Sequence, residues 1–107
     1  MGVDRRLFGK NLIHVRELCQ WTRTEFIEMF TLNMDSKSRR RVRSLVWMAE
    51  QRDQRRSVLA IPISNLFRIP LHALTTEDLT GETLETLRER FQFDPFEVTQ
   101  RAAEFRF

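Results

Sequence analysis

The sequence has 107 residues, of which 41% are hydrophobic and 31% charged, with only three glycines, three prolines and one cysteine. Scarce Gly and Pro disfavour a turn-rich β-sandwich or barrel, and a single cysteine excludes an internal disulfide. The apolar runs fall far short of the roughly 18 residues that span a membrane, and the first residues lack the apolar stretch of a secretory signal. These features predict an all-α, cytoplasmic protein of one domain with a short appendage and no membrane association.

The net charge of +3 is distributed unevenly along the chain. Residues 36–56 carry eight basic and two acidic groups, whereas residues 76–107 carry four basic and eight acidic groups. A concentrated basic block is typical of a surface that meets nucleic acid, although it is also compatible with a solvated helix face.

Apolar spacing predicts two helices in the first 30 residues. Asp4 is the expected cap of the first, whose predicted apolar face includes Phe8, Leu12 and Val15. The second begins at a capping box formed by Thr22 and Glu25, and runs from Arg23 to about Phe30.

A third helix is predicted from Asp35 or Ser36 to about Asp53, with Val42, Leu45, Val46 and Ala49 on its apolar stripe. Pro62 interrupts the next apolar segment, and a short fifth helix follows near Leu71–Leu74.

The last 32 residues are predicted to form two more helices. Thr80 is the expected cap of the first of them, and the Asp94-Pro95 pair marks the start of the second. Apolar groups on two sides of the final helix indicate burial against this chain or a second subunit. The candidate dimer-interface residues are Leu84, Leu87, Phe91, Phe93, Phe96, Phe105 and Phe107.

The segments Phe8-Gly9-x-x-Leu12-x-x-Val15-Arg16 and Trp21-Thr22-Arg23-x-Glu25-Phe26-Ile27 resemble the first two helices of the phage repressor/Cro-like helix-turn-helix family (XRE-type, lambda-repressor-like). Residues 66–74 are similar to the closing signature of that family. The resemblance implies a five-helix DNA-binding domain over residues 1–75 and a helical appendage over residues 76–107. It also implies a homodimeric transcriptional repressor in a phage, mobile-element or antitoxin context.

The sequence departs from the family pattern before the third helix. An ungapped alignment puts Lys37 and Arg40 at apolar positions, and bringing Val42 into register requires about five extra residues around residues 32–37. The resemblance therefore implies a lengthened turn between the second and third helices.

Helical geometry gives a separate route to the DNA-binding residues. The face opposite the apolar stripe of the third helix carries basic and polar side chains, and Arg makes bidentate contacts with guanine in the major groove. The N-terminus of the second helix is suited to meet a phosphate. The candidates are Thr22, Arg23, Thr24, Lys37, Arg39, Arg40, Arg41, Arg43, Ser44 and Trp47, with Arg52, Arg55 and Arg56 as further phosphate contacts.

No other chemistry is indicated by the sequence. His14 and His72 lack neighbouring ligands, Cys19 lies on an apolar helical face, and no glycine-rich phosphate loop is present. The expectation is double-stranded DNA as partner, with no enzyme activity, metal or cofactor. The alternative is a protein-interaction module, such as an antirepressor, inhibitor or antitoxin, built on the same scaffold.

Overall fold

The computed structural model describes residues 7–51 and 58–104, and these residues form seven α-helices without a strand. The all-α prediction is therefore confirmed. In chain order the helices are α1 (Leu7–Leu18), α2 (Arg23–Phe30), α3 (Ser36–Gln51), α4 (Ala60–Phe67), α5 (Leu71–Thr76), α6 (Leu84–Phe91) and α7 (Pro95–Ala103).

Local signals in the sequence account for most helix starts. The Thr22 hydroxyl accepts from the Glu25 amide at 3.0 Å, and the Glu25 carboxylate accepts from the Thr22 amide at 2.9 Å, which is the predicted capping box. Asp94 caps α7 by accepting from the Phe96 amide at 3.0 Å, with Pro95 at the first helical position. Pro62 lies in the first turn of α4, where its missing N–H costs no helical hydrogen bond.

Two expectations about helix boundaries are corrected. Thr83, and not Thr80, caps α6, because Thr83 and Thr86 form a reciprocal capping box while the Thr80 hydroxyl donates to Asp78. Only residues 31–35 lie outside helices between α2 and α3. The extra residues that the sequence comparison places before Val42 therefore belong mainly to the first turns of helix α3, and only five residues form the loop between α2 and α3.

The hydrophobic core is continuous from α1 to α7. Helix α1 packs against α3 and α5, α2 packs against α3 and α7, and α4 packs against α5 and α7. Phe67 lies at the centre, with ring centroids 5.9 Å from Phe26 and 5.8 Å from Phe93. Leu87, Val98 and other residues of the last two helices are buried in the same core. The C-terminal appendage thus folds back onto the rest of this chain.

Polar bonds reinforce this arrangement at both ends of the described chain. The Asn11 amide, fully buried, donates to the carbonyls of Leu74 at 2.9 Å and Glu77 at 2.7 Å and accepts from the Leu79 amide at 2.9 Å. Near the other end, the Arg101 guanidinium donates to the Leu66 carbonyl at 2.8 Å. These bonds satisfy backbone groups that would otherwise be buried without a partner.

The crossing of α1 over α3 depends on Gly9. A Cβ atom added at Gly9 would overlap the main-chain carbonyl of Ala49, which belongs to α3 and cannot move aside as a flexible side chain could. Glycine at this position lets the two helix backbones approach closely.

We expect Gly9→Ala to lower the free energy of unfolding by about 1–3 kcal/mol, because the added methyl group forces the two helices apart. Urea unfolding followed by circular dichroism measures this change. The matched control is Gly81→Ala, since an added Cβ there meets no atom within 4 Å. We expect the control to stay within about 0.5 kcal/mol of the parent protein. Equal effects of the two substitutions would contradict the close approach at Gly9.

Candidate nucleic-acid interface

The N-terminal part of α3 extends beyond the hydrophobic core. Residues 36–41 are all exposed, and Val42 is the first buried residue of the helix. Six residues correspond to about 9 Å of helix. Arg43, Ser44 and Trp47 continue the exposed face toward the middle of α3. All seven α3 candidates from the sequence are therefore on the surface, on or beside one face of a single helix.

This part of α3 is strongly and unfavourably charged. Lys37, Arg40, Arg41 and Arg43 form no ion pair with any residue that the structure describes, and the first turn of α3 contains no acidic residue. Like charges three or four residues apart on a helix repel each other, and the positive end of the helix dipole adds to that repulsion. An anionic partner would relieve both effects.

Asp35 and Arg39 hold the start of α3 in place. The Asp35 carboxylate accepts from the Ser38 amide at 2.7 Å, and this hydrogen bond lowers the pKa of Asp35 below its ordinary value. The Arg39 guanidinium donates to the carbonyls of Thr31 at 3.0 Å and Leu32 at 2.9 Å, at the C-terminal end of α2. The positive charge of Arg39 is favourable at the negative, C-terminal end of α2. Through these two hydrogen bonds Arg39 links α2 to α3.

The opposite end of α3 is anchored by a buried ion-pair network. The Glu50 side chain is fully buried, and its carboxylate accepts from Arg16 at 3.1 and 3.2 Å and from Arg23 at 3.0 Å. Arg16 also donates to the Trp21 carbonyl at 2.8 Å. Glu50 thereby joins α1, the start of α2 and the last turn of α3.

Sequence reasoning missed this network, although a signal for it is present. Glu50 lies four residues after Val46, so it continues toward the buried side of α3, and Arg16 lies four residues after Leu12 on α1. Opposite charges at the edges of two apolar faces indicate a buried pair when the two helices pack together.

At the N-terminus of α2 the candidate residues have different roles. Thr22 is occupied by the capping box, and the Arg23 side chain bonds to Glu50, which leaves Arg23 only partly exposed. Thr24 is exposed. Because the capping box uses the amides of Thr22 and Glu25, a phosphate at this helix end would meet the amides of Arg23 and Thr24.

Trp47 borders a groove between α2 and α3. Trp47 is 45% exposed. The groove has a volume of about 220 Å³ and is lined by Arg23, Thr24, Ile27, Glu28, Arg43 and Trp47. A second cavity on the outer face of α3 is lined by Arg43, Ser44, Trp47 and Met48. Trp47 therefore lies between two surface concavities beside basic side chains.

The predicted dimer-interface residues are distributed between the core and the surface of this chain. Leu87 and Phe93 are buried by this chain itself, Phe91 is partly buried with the Arg90 guanidinium 4.6 Å from its ring centroid, and Leu84 and Phe96 are exposed. The candidates outside the described residues are Arg52, Arg55, Arg56, Phe105 and Phe107.

The two histidines and the single cysteine are not part of the candidate interface. His14 Nε2 lies 2.7 Å from the Glu82 carbonyl oxygen, and His72 is exposed. Cys19 packs against the core, and burial raises the pKa of its thiol to about 12. Within residues 7–51 and 58–104 no His, Cys, Asp and Glu side chains cluster in a way that could hold a metal ion. The helices described there are also too short or too polar to cross a membrane.

Comparisons with protein-family models, curated proteins and solved structures returned no match to this chain.

We expect Glu50→Gln to lower the free energy of unfolding by about 3–5 kcal/mol, because removing the carboxylate charge leaves Arg16 buried without its counter-ion. Urea unfolding of the full chain measures the loss. Glu17→Gln is the matched control, since Glu17 is exposed on α1 and should change stability by no more than about 0.5 kcal/mol. A loss as small as that of the control would contradict an essential role for the buried pair.

Asp35 should make the start of α3 sensitive to acid. Because the pKa of Asp35 in the folded protein lies below its ordinary, unfolded value, the cap stabilises α3 fully above the unfolded value, and this stability is lost as the pH falls through the folded-state pKa. NMR should show that Asp35 titrates with a pKa below its ordinary value, and that the protection factor of the Ser38 amide against hydrogen exchange falls once Asp35 is protonated. Asp35→Asn retains a cap at every pH, so its Ser38 exchange should lack this transition. An ordinary Asp35 pKa with unchanged Ser38 protection would contradict the cap.

Proposed function

We propose that this protein is a sequence-specific DNA-binding regulator of transcription, a repressor that acts as a homodimer and reads the major groove with α3. The observation that carries the proposal is the exposed N-terminal part of α3, where Lys37, Arg40, Arg41 and Arg43 have no acidic partner among the described residues. DNA supplies the regular array of negative charges that this surface lacks. The function involves no catalysis and is exercised in the cytoplasm.

The dimensions of α3 suit this function. An α-helix with its side chains is about 10–12 Å across, and the major groove of B-DNA is about 12 Å wide. Residues 36–41 are all exposed, so the side chains of this part of α3 are available to a groove. In a symmetric dimer, two such helices would read half-sites about 34 Å apart.

The exposed side chains divide into two groups by their position around α3. Arg40 and Ser44 lie on the outward face, with Arg43 and Trp47 beside them, and are suited to contact base edges. Lys37 lies at the tip of this face, and Arg41 flanks it, so both are suited to contact phosphates. Arg39 is a positioning residue, since its guanidinium holds the end of α2 to the start of α3.

A protein-interaction function, as in an antirepressor, inhibitor or antitoxin, is the second candidate. It is favoured by the exposed Trp47 between two concavities that Ile27 and Met48 help to line. Tryptophan and arginine are the side chains that most often dominate protein interfaces. Trp47→Ala tests the role of Trp47 itself, because an unchanged affinity for the preferred DNA site would exclude Trp47 from DNA reading and leave its exposed ring for another contact.

Selection from a random duplex library at about 150 mM salt tests the main proposal, since non-specific electrostatic binding is weakened there. We expect one enriched sequence. On that sequence Arg40→Ala and Arg43→Ala should each weaken binding by about 1–3 kcal/mol and relax preference at one base position. Fluorescence anisotropy titrations measure both effects.

Arg68→Asn is the matched control for the loss of one positive charge. Arg68 is exposed at the end of α4 in a left-handed conformation with φ of 57°, which asparagine tolerates. We expect this variant to retain the base preference of the parent protein. The proposal fails if no sequence is enriched, or if Arg40→Ala and Arg43→Ala weaken binding no more than Arg68→Asn does.

A further inference from the structure

An open cleft lies between α6 and the start of α7, away from the basic face of α3. Its volume is about 370 Å³, and it is lined by Leu84, Glu85, Arg88, Phe93 and Pro95. Phe93 is buried, whereas Leu84 is 37% exposed. The cleft therefore combines apolar side chains with one acidic and one basic group.

The residue that follows the cleft-lining Pro95 in the sequence is the most exposed large apolar residue of the described chain. Phe96 follows Pro95 on α7 and is 67% exposed, although Val98 and Ala102 of the same helix are buried in the core. Phe96 does not serve the packing of its own chain. An exposed phenyl ring one residue after the cleft-lining Pro95 is typical of an interaction surface.

The charges of Glu85 and Arg88 on the cleft indicate what kind of partner would fit it. Glu85 and Arg88 lie three residues apart on α6, both are exposed, and neither forms an ion pair among the described residues. A surface of one charge sign would fit a partner of the opposite sign. An acidic and a basic group side by side instead fit the same surface turned by a two-fold axis, where each Glu85 meets the Arg88 of the other copy.

We propose that this cleft is a self-association surface, occupied by a second copy of this chain, whose Phe96 enters the cleft while Glu85 and Arg88 pair across the two-fold axis. The surface contains no residue of α2 or α3, so the basic face of each copy stays outside the contact. The inference locates the interface of the proposed homodimer. It is tested without DNA, so its failure can be distinguished from failure of the DNA-binding proposal.

Sedimentation equilibrium of the full chain, from about 1 µM to about 500 µM, covers the range expected of a modest interface. We expect a concentration-dependent mass of two chains. Phe96→Asp should weaken the dimer by a factor of roughly 100–900, because the symmetric dimer loses two buried aromatic anchors and each loss contributes a factor of about 10–30. Because Phe96 is exposed in the single chain, circular dichroism should show an unchanged fold.

Two control substitutions should leave self-association as it is. Ile61→Asp places the same charge on another exposed apolar residue, which is 61% exposed at the start of α4. Glu89→Arg reverses a charge on α6 at an exposed position that does not line the cleft. If either control weakens the dimer as strongly as Phe96→Asp does, the cleft is not the interface.

Charge exchange gives a sharper test of the two-fold geometry. Glu85→Arg alone and Arg88→Glu alone should each weaken self-association, and the double exchange should restore it. Mixing the two single variants should produce a heterodimer that is tighter than either homodimer, since opposite charges then face each other at both contacts. A monomer at every concentration, or a mixture that associates no better than its components, would overturn the proposal.

Discussion

The buried carboxylate of Glu50 is the interaction on which the geometry of the candidate interface depends. It bonds to Arg16 of α1 and Arg23 of α2, so three helices meet at one charge that water does not reach. Such a charge is tolerable only while its partners stay in place. The network therefore orients α3 from its C-terminal end, while Arg39 and Asp35 hold its N-terminal end.

Helix α3 therefore has two parts with different surroundings. From Val42 to Glu50 one side of the helix packs into the core, and before Val42 every residue is exposed. Intrinsic stability does not explain the exposed part, because its repeated positive charges repel one another at the positive end of the helix dipole. The polyanion that we propose as partner would offset this repulsion.

The last two helices contribute to the same molecule in two ways. Their buried side, which includes Leu87, Phe93 and Val98, completes the core around Phe67. Their outer side carries Phe96 and the cleft beside it. The apolar groups on two sides of α7 predicted burial against this chain or a second subunit, and the structure buries Val98 and Ala102 in the core of this chain.

The sequence by itself determined the elements whose signals are local. The capping box of Thr22, the Asp94-Pro95 start and the exposed face of α3 all follow from residues a few positions apart, and such short-range patterns require no knowledge of the fold. It misassigned the cap of α6, because Thr80 and Thr83 offer the same chemistry. Only the tertiary structure decided the network around Glu50, the bonds of Asn11 and the close approach at Gly9. Each of these contacts joins residues separated by at least 27 positions, and such contacts depend on how whole helices pack together.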